Sequence, residues 1–319
     1  MSIGSFPLRR RLLTWGEGFF PVRQALGAEL ILLPRFDLQQ VMKCIVRKRP
    51  TLFPGVPTIY TALNGAAQSG EWDLSSIRYC ISGGAPLPLE VRNRFETLTG
   101  CRLVEGYGLS ETAPVATCNP FDGESRPGSV GLAMPHTAIE IRSLTDPRQI
   151  VAAGEKGEVC VRGPQVMAGY WQRPDDTAAV MVDGALRTGD IGTVDGDGYL
   201  FLVDRIKDVI LCGGYNVYPR VIEEALYQHP AVAEAVVIAI PDQYRGQAPK
   251  AFVRLRDGQE CSPDQLRDFL AGYLSRIEMP KDIELRSQLP KTMVGKLSKK
   301  ELVAEEQAKG DRPQTSASA

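Results

Sequence analysis

The stretch "YCISGGAPLPLEVRNRFETLTGCRLVEGYGLSET", Tyr79–Thr112, decides the fold. "YCIS" is a short apolar run that ends at two glycines, Gly83 and Gly84. "PLEVRNRFETLTG" follows, with Val91, Phe95 and Leu98 spaced along one helical face and Gly100 as its stop. Cys101–Val104 is a second apolar run, and it too ends among glycines, Gly106 and Gly108. Strand, helix and strand in that order predict a parallel α/β sheet. In an open sheet of this kind, ligands sit beyond the carboxyl ends of the strands.

Several segments carry candidate chemistry, each with a plainer reading beside it. "SGGAPLP" brings Gly83, Gly84 and Ala85 to a strand end, where small residues allow a flat ring to approach. By itself it reads as an ordinary strand-to-helix turn. In "EGYGLSET", Gly106 and Gly108 leave room for a ring and Tyr107 offers a stacking face. There the Ser110 and Thr112 hydroxyls suit phosphate oxygens, and Glu111 suits Mg2+. Equally, Glu111 is a solvated carboxylate at a helix start. Asp190 in "LRTGDIG" is placed to accept two ribose hydroxyls, or to close its own turn. "VDRIKDVILCGGYNVYP" is a charged joint with Asp204, Arg205, Lys207 and Asp208, or a solvated linker. "LPKTMVGKLSKKEL" gathers Lys291, Lys296, Lys299 and Lys300 around Gly295, which makes it a mobile cationic segment or a solubilising loop.

Composition narrows the class. The chain has 319 residues, 43% hydrophobic and 24% charged, which suits two or three globular domains. Its formal net charge of −1 gives no footprint for nucleic acid. The seven cysteines are scattered without a C-x-x-C pair, which argues against a disulfide framework and for a reducing cytoplasm. His136 and His229 are the only histidines, too few for a histidine-based metal site or triad chemistry, and both read as loop or packing residues. No apolar run approaches the ~20 residues that span a bilayer. The opening "MSIGSFPLRRRLLTWGEGFF" lacks the apolar core of a signal peptide, so export is not expected.

The texture of the chain predicts four regions. Residues 1–127 form an α/β part that includes "AELILLP" as a strand. Residues 128–203 hold "TAIEIRS", "GEVCVRG" and "GYLFLVD" between turn residues, a small antiparallel β unit. Residues 204–305 read as an α+β module in which "KDVILCGG", "AVAEAVVIAIP" and "KAFVRLR" are strands. Pro219 opens a helix with Ile222, Ala225 and Leu226 inward, and Ser262 caps another with Leu266, Phe269, Leu270 and Leu274 on one face. The polar tail 306–319, "EQAKGDRPQTSASA", is predicted to be disordered.

The order of these motifs, with "LFPGVPTIYTALN" before them, resembles the adenylate-forming acyl-CoA synthetases. The likeness is nearest to bacterial long-chain fatty acid–CoA ligases and runs from about Leu33 to Leu302. It implies a partial parallel α/β lobe, a small antiparallel β-barrel-like subdomain and a mobile C-terminal α+β domain. It implies ATP and Mg2+ as cofactors, coenzyme A as co-substrate and a fatty acid as substrate. Gly83, Gly84, Ala85, Gly106, Tyr107 and Gly108 match the adenine pocket, Asp190 the ribose ligand and Arg205 a further nucleotide contact. Glu111 matches the magnesium-associated carboxylate, and Ser110 stands where the family usually has threonine. Asp204 matches the hinge, Lys296 the lysine of the adenylation step, and Gly213–Gly214 the surface that lines the thiol tunnel.

The sequence also departs from that pattern. The Ser/Thr/Gly-rich phosphate loop ending in Pro-Lys-Gly has no counterpart in residues 1–50, and "TWGEGFF" does not replace it. The expectation is a ligase by descent, truncated at its N-terminus and impaired when alone. Val221 stands where glutamate is usual, and Lys299–Lys300 where arginine is frequent. Two alternatives stay open. One is a non-catalytic partner-binding fragment, or half of a split ligase; the other is transfer of the acyl group to a carrier-protein thiol. A separately supplied first lobe, a homo-oligomer and peripheral contact with a membrane are all compatible with the chain.

Overall fold

The computed structural model describes residues 11–14, 27–34, 36–67, 70–292 and 296–310. Most of "TWGEGFF", Gly295 and the tail beyond residue 310 lie outside the described residues. The chain divides into two compact units. The first takes residues up to Glu140 with Cys160–Thr188 and Val194–Phe201; the second takes Ile141–Val159, Gly189–Thr193 and the chain from Leu202 onward.

Seven strands form the first sheet: β1 Arg11–Thr14, β2 Glu29–Leu32, β3 Leu52–Gly55, β4 Tyr79–Ser82, β5 Arg102–Tyr107, β6 Thr117–Cys118 and β7 Leu132–Ala133, in the order β2-β1-β3-β4-β5-β6-β7. The pairings from β2 through β5 are parallel, and β6 and β7 add antiparallel. Helices α1 (Leu38–Lys48), α2 (Pro57–Ala67) and α3 (Leu89–Thr99) make the crossovers that parallel pairing requires. Ile31, Phe53, Cys80 and Leu103 from four strands pack with Val41, Ile45, Leu63 and Phe95 from the helices. Asp37 caps α1 by accepting the Gln40 N–H, and α3 stops at Gly100 in the left-handed region, as its sequence predicts. Val91 and Phe95 are buried, but Leu98 is exposed. Thr99 takes the inward place instead, with its hydroxyl donating to the Phe95 carbonyl.

The second sheet contains β8 (Ala138–Arg142), β9 (Gly157–Arg162), β10 (Met181–Val182), β11 (Ala185–Val194) and β12 (Leu200–Arg205). Its order is β10-β11-β9-β8, with β12 on β11. The short helix α4, Pro174–Val180, precedes β10.

A third sheet, in the second unit, contains β13 (Ile210–Cys212), β14 (Tyr215–Val217), β15 (Val232–Asp242), β16 (Gly246–Leu255) and β17 (Asp282–Leu285). The order is β14-β13-β16-β15, with β17 parallel to β16. The alternation of β15 explains its two faces. Ala235 and Val237 pack with Ile222 and Leu226 of α5 (Pro219–Tyr227) and Leu266 and Leu270 of α6 (Pro263–Leu270). Val236 and Ile238 pack on the other face with Phe252, Leu289 and Leu302 of α7 (Lys299–Gly310). Phe269 departs from its expected place: it is half-buried, stacked edge-on against His229 and tilted against Tyr273.

Helix α7 also corrects the expectation for the tail, since it continues through residues 306–310. A cation holds it there. Lys250 lies 2.9 Å from Asp282, 2.9 Å from Glu284 and 3.1 Å from Glu306. Burial alone would raise the Glu284 carboxyl, but hydrogen bonds from Lys250 and Arg286 hold it at about 2, against 4.5 for an ordinary glutamate. A depressed carboxylate stabilises the fold above its unfolded value and loses that contribution as pH falls through its folded value. Lys250→Met is expected to cost roughly 2 kcal/mol at neutral pH, less than for a fully buried pair because its carboxylates are partly exposed. Between pH 4.5 and about 2, its urea midpoint should fall less steeply than that of the wild type.

Candidate active site

In the first unit, the two glycine turns lie side by side. Ser82 pairs with Glu105 in the β4–β5 register, so both strands end at the same edge. Gly84 has φ +78, in the left-handed region that favours glycine. A Cβ on Gly83 would meet the Gly106 carbonyl at 3.3 Å, which measures how closely the turns approach. Sequence reasoning assigned nothing to Glu105. Its buried carboxylate accepts the Leu87 N–H at 3.1 Å and ties the first turn to the second strand.

The glycines of "EGYGLSET" serve the protein itself more than the sequence suggests. A Cβ on Gly108 would fall 1.7 Å from the Pro114 carbonyl oxygen, so that space is filled by backbone. At Gly106 the nearest atom is the flexible end of Ile81, at 3.2 Å. Tyr107 is buried. Thr112 is fully buried, and its hydroxyl closes the local turn by accepting the Leu109 N–H at 2.9 Å while facing the Leu109 and Pro114 carbonyls. It is therefore unavailable to a phosphate, contrary to expectation. Ser110 is exposed and keeps its hydroxyl open.

Glu111 is held from a second segment. Its carboxylate accepts the Tyr170 hydroxyl at 2.8 Å, and its carbonyl accepts the Met167 N–H at 2.8 Å. That hydrogen bond, more than the slight burial of the ring, raises the Tyr170 phenol above its ordinary value. The aromatic residue at the end of "MAGY" was the available sequence signal for this contact, but nothing local linked it to Glu111.

The second unit gathers another set. Asp190, on β11 and buried, accepts the Arg205 Nε–H at 2.8 Å. Next to it, the buried Glu158 accepts the Gly189 N–H at 3.1 Å. Lys296 is tied to Thr292: Thr292 donates its N–H to the Lys296 carbonyl at 2.7 Å, and the Lys296 N–H donates to the Thr292 hydroxyl at 3.1 Å. Partial burial lowers the Lys296 ammonium, and the Arg205 charge lowers it further. Asp190 and Arg205 thus form an ion pair, and the Arg205 charge also acts on the Lys296 ammonium.

Asp204 is buried, and its two oxygens accept the backbone N–H groups of Arg205 at 2.8 Å and Arg220 at 2.9 Å. The second bond closes the N-terminus of α5, where a carboxylate is favoured. Burial raises the Asp204 carboxyl, against the Lys299 charge and these two N–H donors. Gly213 and Gly214 were expected to end a strand. Instead they form the two-residue turn between β13 and β14, with φ +59 and +85, and Gly213 donates its N–H to the Arg245 carbonyl at 2.8 Å.

Comparison with known proteins sets this geometry in context. Residues 22–171 match the AMP-binding enzyme family, and residues 221–296 match the AMP-binding enzyme C-terminal domain. A long-chain-fatty-acid–CoA ligase of Bacillus subtilis (strain 168) is 49% identical over 281 residues, which is 88% of this chain and 50% of that protein. A feruloyl-CoA synthase of an Amycolatopsis species is 40% identical over 277 residues, 86% of this chain and 56% of that protein. The chain spans about half the length of the curated relatives it matches. Among solved structures, an anthranilate CoA ligase in complex with anthranoyl-AMP superposes with a TM-score of 0.87 at 30% identity, over 95% of this chain and 61% of that one. ATP-bound MatB from Rhodopseudomonas palustris gives a TM-score of 0.85 at 31% identity, with the same coverage. The class these define is the adenylate-forming ligases. The chain belongs to the AMP-binding enzyme family, on the acyl-CoA ligase side of it.

The glycine geometry is testable by contrast. Gly108→Ala should destabilise by about 3 kcal/mol or prevent folding, because rigid backbone must move. Gly106→Ala should cost roughly 1 kcal/mol, since Ile81 can shift. Urea denaturation of the two variants checks the order.

Proposed function

We propose that this chain carries the nucleotide-handling and thiol-handling residues of an ATP-dependent fatty acid–CoA ligase. In the first step a carboxylate oxygen attacks the α-phosphate of ATP, the bond to pyrophosphate breaks, and acyl-AMP forms. In the second, the coenzyme A sulfur attacks the acyl carbonyl, AMP leaves, and the thiol proton is released. The observation that carries the reading is the Asp190–Arg205–Lys296 group. A buried carboxylate paired with an arginine, whose charge also reaches a lysine ammonium, suits a ribose hydroxyl pair next to a phosphate whose negative charge grows in the transition state. Lysine is a compact, mobile point charge well suited to bridge that phosphate and the attacking carboxylate.

The other roles follow the same reading. Gly83, Gly84, Ala85, Gly106 and Tyr107 form the adenine side, with Gly108 allowing the close backbone turn behind them, and Ser110 offers a hydroxyl to phosphate oxygen. Among the described residues no group of three or more His, Cys, Asp or Glu could hold a metal. A single oriented carboxylate is nevertheless what Mg2+ uses when substrate phosphates and water supply its other ligands, so Glu111 fits that ion. Bound there, Mg2+ would offset phosphate charge. Asp204 is the hinge about which residues 204–305 turn between half-reactions, which gives Lys296 and the thiol alternate access. The Gly213–Gly214 turn lies on the thiol side. Residues 1–127 and 128–203 serve as the α/β and β parts of the nucleotide domain.

A long-chain acid is the proposed substrate because the long-chain ligase of Bacillus subtilis shares 49% identity with the chain. No helix of the described residues is long and apolar enough to cross a membrane. The proposed setting is the cytoplasm with peripheral access to lipid.

The test separates the half-reactions. Pyrophosphate release from ATP and palmitic acid should fall at least ~100-fold in Lys296→Ala. Thioester formation from supplied palmitoyl-AMP and coenzyme A should persist. Equal loss of both steps would count against the role of Lys296. A wild-type chain that neither releases pyrophosphate nor uses supplied palmitoyl-AMP would count against the ligase reading of this chain.

A further inference from the structure

Lys299 opens α7 only three residues after Lys296. Its Nζ lies 3.2 Å from Glu223 on α5 and 4.0 Å from Asp208, in the turn that follows β12. The buried hinge carboxylate of Asp204 is within its electrostatic reach. Two carboxylates therefore lie against one ammonium, and a third acts on it through its charge. Two of the three are anchored independently: Asp204 by the Arg205 and Arg220 N–H groups, and Glu223 by the Val237 N–H at 2.8 Å. Burial alone would lower the Lys299 ammonium, but Glu223, Asp204 and Asp208 outweigh it and raise it. Lys299 is a fixed cation in a fixed frame.

The chain between Lys299 and Lys296 has little slack. Lys291 and Leu297 form a β-bridge, the Ser298 N–H donates to the Pro290 carbonyl at 2.9 Å, and Thr292 is tied to Lys296. The Lys296 ammonium feels the charge of Arg205, whose own N–H is held by Asp204. The helix itself has separate support, since Leu302 is fully buried with Val236, Ile238, Phe252 and Leu289. Loss of the Lys299 charge would cost stability, because Glu223 and Asp204 lose their cation, but the helix keeps this apolar packing.

We infer that Lys299 is the positioning residue that ties the chain bearing Lys296 to the hinge segment through Glu223 and Asp208, and so sets where Lys296 sits. The functional meaning rests on the reading of Lys296 as the adenylation lysine; the structural link does not. Within this cluster the hinge segment and the chain that bears the reacting cation share one ion network, so their settings are coupled.

The test is competitive acetic anhydride labelling of Lys296 across pH, read by mass spectrometry, on the full chain. In the wild type, Lys296 should titrate below the ordinary lysine value of 10.5. In Lys299→Met, labelled below its own denaturation midpoint where the chain is folded, the titration should move up toward 10.5 as Lys296 loses its burial and moves away from the Arg205 charge. Lys299→Arg should restore the wild-type profile, because it returns the charge. An unchanged profile in Lys299→Met, or no restoration by Lys299→Arg, overturns the proposal. Should Lys299→Met fail to fold, Glu223→Gln removes the nearest partner and is read by the same criterion. The labelling needs no turnover, so failure of the adenylation reading would show separately, as Lys296→Ala leaving acyl-AMP formation intact.

Discussion

The nucleotide side of this molecule depends on one pairing, β4 parallel to β5 with Ser82 opposite Glu105. Parallel strands joined by a helix must end at the same edge of the sheet. Both glycine turns therefore emerge together, and the Glu105 carboxylate locks one to the other. The Tyr60 ring, buried below them, lies with its hydroxyl 2.9 Å from the Phe53 carbonyl and 3.0 Å from that of Ile81, which fixes the strands that carry the turns. Glu111 is then presented beyond β5 and oriented by Tyr170.

The second unit solves a different problem, that of keeping cations together. Arg205 and Lys296 repel each other, and the buried Asp190 offsets part of that repulsion. The same unit holds Asp204 by two backbone N–H bonds, so the proposed hinge is a defined carboxylate within a network and not a loose linker. Hydrophobic layers on both faces of β15 and β16 supply the rigid platform for these charges.

Much of this was legible in the sequence because it depends on local chemistry. Periodicity located α3 and α5, Gly100 and Ser262 marked a helix end and a helix start, and short apolar runs marked β4 and β5. The motif order identified the family, since glycines, hydroxyls and charges recur at set spacings in these ligases. Where local reading failed, a distant neighbour decided the matter. Leu98 lost its inward place to Thr99, Phe269 stacked on His229, and α7 ran on because Lys250 reaches Glu306.

By itself the sequence determined the elements, the class of fold, the family and the residue types able to meet a nucleotide. Only the tertiary structure decided which of those residues are free to do so. Thr112 and Gly108 proved committed to the turn that contains them, because a buried hydroxyl must find a partner and backbone can approach only where no Cβ stands. Tyr170, Glu105 and Lys299 acquired their partners through contacts 59, 18 and 76 residues away in the chain (Glu111, Leu87 and Glu223), which no local pattern encodes.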